Sequence, residues 1–126
     1  MIVNVSAMST VEDLREARTL LHSRGWRRGK RTSEESHVGP LDILEALSVV
    51  THEYVNKAMW GPHYEAAKVA LVDAIATAGP ADKLNPGKAL IGFNDGPTRM
   101  AADVIHLFDD AIRKLAVTTD NGSNHD

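Results

Sequence analysis

The stretch from Arg24 to Arg31 places positive charge around a single aromatic ring. It holds five of the 14 lysine and arginine residues, in a chain whose net charge is −3. Such a stretch suits an acidic protein surface, or nucleic-acid phosphates with a base stacked on the indole. The competing structural interpretation is a solvated loop with its tryptophan folded onto the core. The candidate partner-binding residues are Arg24, Trp26, Arg27, Arg28, Lys30 and Arg31.

A second candidate site is the turn that contains Asn94, Asp95 and Arg99. Glycine and arginine beside a helix start can bind a phosphate, but the Asp95 carboxylate would compete for the same amides. The structural alternative is that Asn94 or Asp95 caps the helix, while Arg99 bridges back to Asp95 or to a carbonyl. A concave pocket lined by Arg99 would favour a ligand, whereas a closed Asp95–Arg99 pair would favour structure.

The sequence contains no assembled catalytic or metal-binding motif. His52-Glu53 begins like a zinc-protease motif, but position 56 is asparagine, so the second histidine is missing. Asp109 and Asp110 are consecutive, so their side chains diverge on a helix and do not form an acid–base pair. There is no phosphate-binding glycine loop and no serine-hydrolase elbow. We therefore predict no catalytic residues, no metal and no cofactor.

Length and composition indicate one domain in a reducing compartment. The chain has 126 residues and no cysteine, which excludes disulfides and thiolate metal sites and fits a cytoplasmic protein. No apolar run approaches the ~20 residues of a membrane span, and no signal peptide precedes the first helix. We expect no membrane partner. Self-association stays open, as does the choice between Met1 and Met8 as the start.

The elements that must position these residues are predicted to be helices. Apolar residues recur at helical spacing in four segments, which predicts an all-α fold, a small bundle of about four helices. A long connection is predicted over 79–97, with a short extended piece at 90–93. The four predicted helices run from Thr10 to Arg24, from Gly39-Pro40 to either Thr51 or Asn56, from Gly61-Pro62 to Ala78, and from Asp95 or Thr98 to about 117.

These segments divide the chain into three parts. Residues 1–8 form an N-terminal extension, 9–117 a single helical domain, and 118–126 a polar tail that we expect to be disordered. The first helix is the best defined, because Ser9 and Glu12 have the spacing of a capping box and Gly25 follows its last turn.

The order of these motifs resembles a small uncharacterised family found in actinobacteria and their bacteriophages. The motifs are Gly25-Trp26-x-x-Gly29, Gly39, Leu44-x-x-Leu47, Phe93-Asn94-Asp95, Arg99 and Val104. The chain departs from the family pattern at Phe93, where tryptophan is expected, and at Met100, where a small hydroxyl residue is expected. The resemblance implies a phage or actinobacterial cytoplasm and a shared scaffold, and it implies no activity.

The absence of a catalytic motif and the two candidate surfaces predict a binding function. The leading hypothesis is a non-enzymatic accessory protein, phage-encoded, that binds a protein partner. The first alternative is a nucleic-acid-binding module that uses the basic 24–31 loop. The second alternative is an enzyme or small-ligand binder with a site near Asn94–Arg99.

Overall fold

A computed structural model describes residues 5–29, 39–52 and 61–123 of the chain. These ranges contain helices and no strand, which confirms the predicted all-α fold class. There are six helices in them where about four were predicted. The helices are α1 (Ala7–Arg24), α2 (Ile43–Thr51), α3 (Pro62–Asp73), α4 (Pro80–Leu84), α5 (Pro86–Asn94) and α6 (Ala101–Ser123).

The predicted long connection over 79–97 is wrong, because it contains α4 and α5. Pro80 and Pro86 are the first residues of these helices, where a missing N–H costs nothing and the fixed φ favours the helix. The predicted extended piece at 90–93 is wrong for the same reason, since it lies within α5. Leu90, in this helix, is fully buried in the core.

The first two helices begin at places that the sequence pattern did not identify. Ser6 caps α1, where its hydroxyl accepts from the Ser9 amide at 3.1 Å, so α1 starts within the predicted 1–8 extension. The predicted start of α2 at Gly39-Pro40 is wrong, because Leu41 pairs with Trp26 in a short parallel bridge. Asp42 then caps α2 in a reciprocal capping box.

The remaining boundaries are closer to the prediction. α2 ends at Thr51, one of its two predicted ends, and α3 begins at Pro62 behind the Gly61 cap as predicted. α3 stops at Asp73, short of the predicted Ala78. α6 begins at Ala101, after the predicted start, and runs to Ser123.

The core lies between α1, α3 and α6. α1 packs against α6 and α2, while α3 contacts α1, α2, α5 and α6. The fully buried side chains include Leu14, Leu21, Ile43, Leu47, Leu71, Leu90, Val104 and Phe108. On the surface, Arg18 and Asp109 form an ion pair of 2.6 Å between α1 and α6. This arrangement leaves α4, α5 and the turn before α6 on one side of the bundle.

Candidate functional site

A short extended pairing fixes the start of the basic stretch. Gly25, with φ of 92°, ends α1 and turns the chain. The Arg27 amide then donates to the Leu41 carbonyl at 3.0 Å, and the Leu41 amide donates to the Gly25 carbonyl at 2.9 Å. This pairing holds Trp26 and Arg27 beside the N-terminus of α2.

The buried side chain of Asn94, at the end of α5, joins three parts of the chain. Its Oδ1 accepts from Trp26 Nε1 at 2.7 Å and from the Ile43 amide at 3.1 Å. Its Nδ2 donates to the Arg27 carbonyl at 3.1 Å and to Asp95 Oδ1 at 2.9 Å. We call these five residues the Asn94 junction. The sequence pattern predicts that Asn94 or Asp95 caps the start of a helix. In the structure, Asn94 lies at the end of α5 and its side chain connects distant segments of the chain.

The carboxylate of Asp42 interacts electrostatically with that of Asp95, which is part of the junction. Asp95 Oδ1 also accepts from the Gly29 amide at 2.7 Å. Burial raises the pKa of Asp42 to about 6, and the negative charges of Glu45 and Asp95 act in the same direction. The hydrogen bond from the Glu45 amide and the charge of Arg27 oppose the shift. The adjoining cavity has a volume of about 20 Å³, too small for any ligand larger than a water molecule.

Several residues of the predicted partner-binding set are engaged within the protein. Arg24 donates to the Gly39 carbonyl through Nε at 3.1 Å and Nη2 at 2.9 Å. Arg28 donates from Nη2 to the Arg99 carbonyl at 2.6 Å, and its guanidinium lies 5.8 Å from the centre of the Trp26 ring. Lys30 and Arg31 lie outside the described residues. The set as a partner-binding site stays a prediction.

A larger concave feature lies beside the 93–99 turn, where Phe93 and Arg99 form part of its lining. It has a volume of about 510 Å³, within the range of about 300–1,000 Å³ that is common for ligand pockets. It is open to solvent and is bordered by the 75–78 segment that follows α3, by α4 and by α5. We call it the α3–α5 groove; its walls include Ile75, Ala78, Lys88, Gly92, Phe93 and Arg99.

Arg99 stands at the edge of this groove in a fixed position. Its Nε donates to the Phe93 carbonyl at 2.7 Å, and its guanidinium lies 3.6 Å from the centre of the Phe93 ring. Of the two partners predicted for Arg99, the Asp95 carboxylate and a backbone carbonyl, the structure shows the carbonyl. In the described part of the chain, no ion pair joins Arg99 to Asp95. Arg99 also lines a concave pocket, so the turn has both the carbonyl bridge of the structural interpretation and the pocket of the ligand interpretation.

The sequence identifies Arg99 and the possibility of a pocket beside it, but not the residues that form the walls of the groove. Lys88 and Gly92 were overlooked because α5 was interpreted as part of a long connection. The signal for α5 was present in Asn85-Pro86, where a capping residue precedes a proline at the first helical position.

Other kinds of site are not found in the described ranges. Residues 5–29, 39–52 and 61–123 hold no group of three histidine, aspartate or glutamate residues placed to bind a metal ion. Among the helices of the same ranges, none combines the length and apolar character needed to cross a membrane.

The fold and the groove define a small all-α domain with one open side. The chain belongs to the Family of unknown function (DUF6197), whose match extends over residues 6–114. The matched range contains the starts of the six described helices, from Ala7 to Ala101, and the residues that line the groove. Neither a curated protein nor a solved structure gave a significant match.

Proposed function

We propose that this chain is a binding protein whose ligand is a small molecule held in the α3–α5 groove. The observation that carries the proposal is the 510 Å³ concavity lined by Arg99. Pockets of this size with a few convergent polar groups are the usual sites of small ligands. Of the functions that the sequence left open, this is the small-ligand alternative near Asn94–Arg99.

Gly92 supports the same interpretation. It lies within α5 on the groove wall, where a Cβ atom would have no neighbour within 4 Å. Glycine inside a helix costs about 0.5–1 kcal/mol relative to alanine. No packing contact of the described residues requires glycine here, whereas an unfilled groove benefits from the missing side chain.

The proposal is tested by titrating the protein with three probes of similar size: phenylacetate, 2-phenylethanol and protonated phenethylamine. Amide chemical shifts in a ¹H–¹⁵N spectrum report where each probe binds. We expect at least one probe to move the amides of Ala78, Ala89 and Gly92 in a saturable manner. If none of the three probes moves these amides, the groove is not a ligand site and the proposal fails.

A pair of substitutions at one position gives the matched control. Gly92→Leu places a side chain in the groove and should abolish the shifts at Ala78 and Ala89. Gly92→Ala adds one methyl group, leaves most of the volume free and should retain binding. Equal binding by both variants would show that the probes bind elsewhere.

A second candidate is the protein-partner function, which would make the chain a phage-encoded accessory protein in an actinobacterial cytoplasm. What supports it is the exposed guanidinium of Arg28 beside the Trp26 ring. Affinity capture from such a lysate, with and without nuclease, would compare the native chain with an Arg28→Ala, Lys30→Ala, Arg31→Ala variant. If the variant still captures the partner, this surface is not the binding site. If the partner is lost after nuclease treatment, the captured ligand is nucleic acid.

A further inference from the structure

We infer that the α3–α5 groove selects an anion: a small molecule with a carboxylate or phosphate head and an apolar body. This inference rests on the proposed function and specifies the chemical class of its ligand. It follows from the two cationic side chains on the groove wall, Arg99 and Lys88, and from the apolar residues between which the remainder of a ligand would lie.

The guanidinium of Arg99 is held in place with donors to spare. Its Nε is used by the Phe93 carbonyl, and its plane rests on the Phe93 ring. A guanidinium has five N–H donors in a rigid fork, so the pair of terminal nitrogens is left for a ligand. Two parallel N–H donors match a head with two oxygens, which is the geometry of carboxylates and phosphates.

Lys88 supplies a second positive charge on the same wall. Its side chain is exposed and lines the groove on α5. Among the described residues, no carboxylate forms an ion pair with Lys88 or with Arg99. Their charges are therefore not neutralised by nearby protein groups, and an anion in the groove would meet both.

The groove also contains one carboxylate, that of Asp82, which opposes an anionic ligand. Its Oδ2 accepts from the Gly79 amide at 2.9 Å in the cap of α4. The carboxylate is thus directed at the start of its own helix. Two cations against one carboxylate leave a positive balance at the groove wall.

The apolar part of the groove determines what kind of group should be attached to the anionic head of the ligand. Ile75 and Ala78 follow α3, and Ala89 and Phe93 lie on α5. All four are half-buried and pack against the core. A ligand that offers only charge would leave this surface wet, so we expect an aryl or alkyl body attached to the head.

The experiment compares the three probes by charge, with phenyl phosphate as a fourth. Phenylacetate should bind roughly tenfold more tightly than 2-phenylethanol, because charge-assisted hydrogen bonds are stronger than neutral ones. Phenethylamine should bind most weakly. Tighter binding of phenyl phosphate than of phenylacetate assigns a phosphate head, and the reverse order assigns a carboxylate.

Charge reversal at Lys88 separates this inference from a general charge effect. Lys88→Glu should weaken phenylacetate binding by roughly tenfold and leave 2-phenylethanol unchanged. The control is Arg15→Glu, which changes the net charge equally on α1, a helix that does not line the groove. Arg15→Glu should leave the affinity for both probes unchanged.

The possible outcomes separate the inferred charge selection from the proposed binding function. If phenylacetate and 2-phenylethanol bind the groove equally, the inferred charge selection is overturned and the binding function stands. The charge selection is likewise overturned if Lys88→Glu and Arg15→Glu change the affinity for phenylacetate by the same factor. If no probe of any charge moves the groove amides, the proposed function itself fails.

Discussion

The two sides of the 93–99 turn differ in how completely their polar groups are paired. On the inner side, the Asn94 side chain takes part in four hydrogen bonds within the protein. On the outer side, Arg99 donates from Nε to the Phe93 carbonyl and lines an open groove. The same turn therefore contains a buried residue whose side chain is fully hydrogen-bonded and a cationic residue that borders a groove that is open to solvent.

Together with the proposed function, this contrast predicts which substitutions change stability and which change ligand affinity. Buried polar groups stabilise a fold when all are paired and become costly when one partner is removed. Polar groups beside an open groove are solvated, so their loss costs the fold little. Substitutions at the junction should therefore act on unfolding, and substitutions in the groove on ligand affinity.

The largest expected effect follows from Asn94→Ala. The change leaves Trp26 Nε1 and the buried Ile43 amide without their acceptor, at about 1–3 kcal/mol for each buried group. We expect the free energy of unfolding to fall by about 3 kcal/mol or more, measured by urea denaturation.

The control is Asn85→Ala, which removes the exposed cap of α5. A lost cap costs about 1 kcal/mol. Equal losses for the two variants would contradict the structural importance assigned to the junction.

An intermediate effect is expected at Asp42, and it depends on pH. The pKa of this carboxyl is about 6 in the folded protein, above its ordinary value of 3.8. The folded state therefore holds the proton more tightly, and the stability this provides is present below pH 3.8 and lost as pH rises through about 6. Asp42→Asn keeps the cap without the charge. It should be more stable than the native chain by about 1–2 kcal/mol at about pH 8, since water contact reduces the full effect.

Urea denaturation at about pH 4 and pH 8 measures this difference, which should shrink at the lower pH. Asp103→Asn is the matched control, because the Asp103 carboxylate accepts from the Met100 amide at the start of α6. A gain for Asp42→Asn that is the same at both pH values would refute the proposed burial cost.

The smallest effect is expected at Gly92. Gly92→Ala meets no atom within 4 Å and should raise the free energy of unfolding by about 0.5–1 kcal/mol. Gly25→Ala is the contrasting change, because Gly25 has φ of 92° and ψ of 157°, a backbone conformation that strains any other residue by about 1–3 kcal/mol. A loss of stability at Gly92 would mean that this glycine serves packing and would weaken the contrast between the two sides.

The helices that the sequence predicted well are those with a long apolar stripe. α1 and α6 carry such stripes because each buries one face along most of its length. α4 and α5 are short and begin with prolines, so the local pattern alone favours a connection. Their helical state depends on packing, as when Leu90 of α5 is buried in the core.

For the candidate site, the sequence identified the residues but not their partners. Asn94, Asp95 and Arg99 stood out by type. However, the acceptor role of Asn94 toward Trp26 spans 68 positions of sequence, and no local spacing encodes such a contact. The walls of the groove could not be predicted for a related reason, since they come from the 75–78 segment after α3, from α4 and from α5, and exist only once these parts pack.

Because α1 packs against α6, the first and last described helices must meet before the core is complete. At about 5–20 residues per second, a ribosome releases α6 several seconds after α1. During that interval Leu14 and Leu21 of α1 lack their partner helix. We therefore expect the nascent chain to expose part of its apolar surface during synthesis, which is the stage at which incompletely folded chains are prone to aggregate.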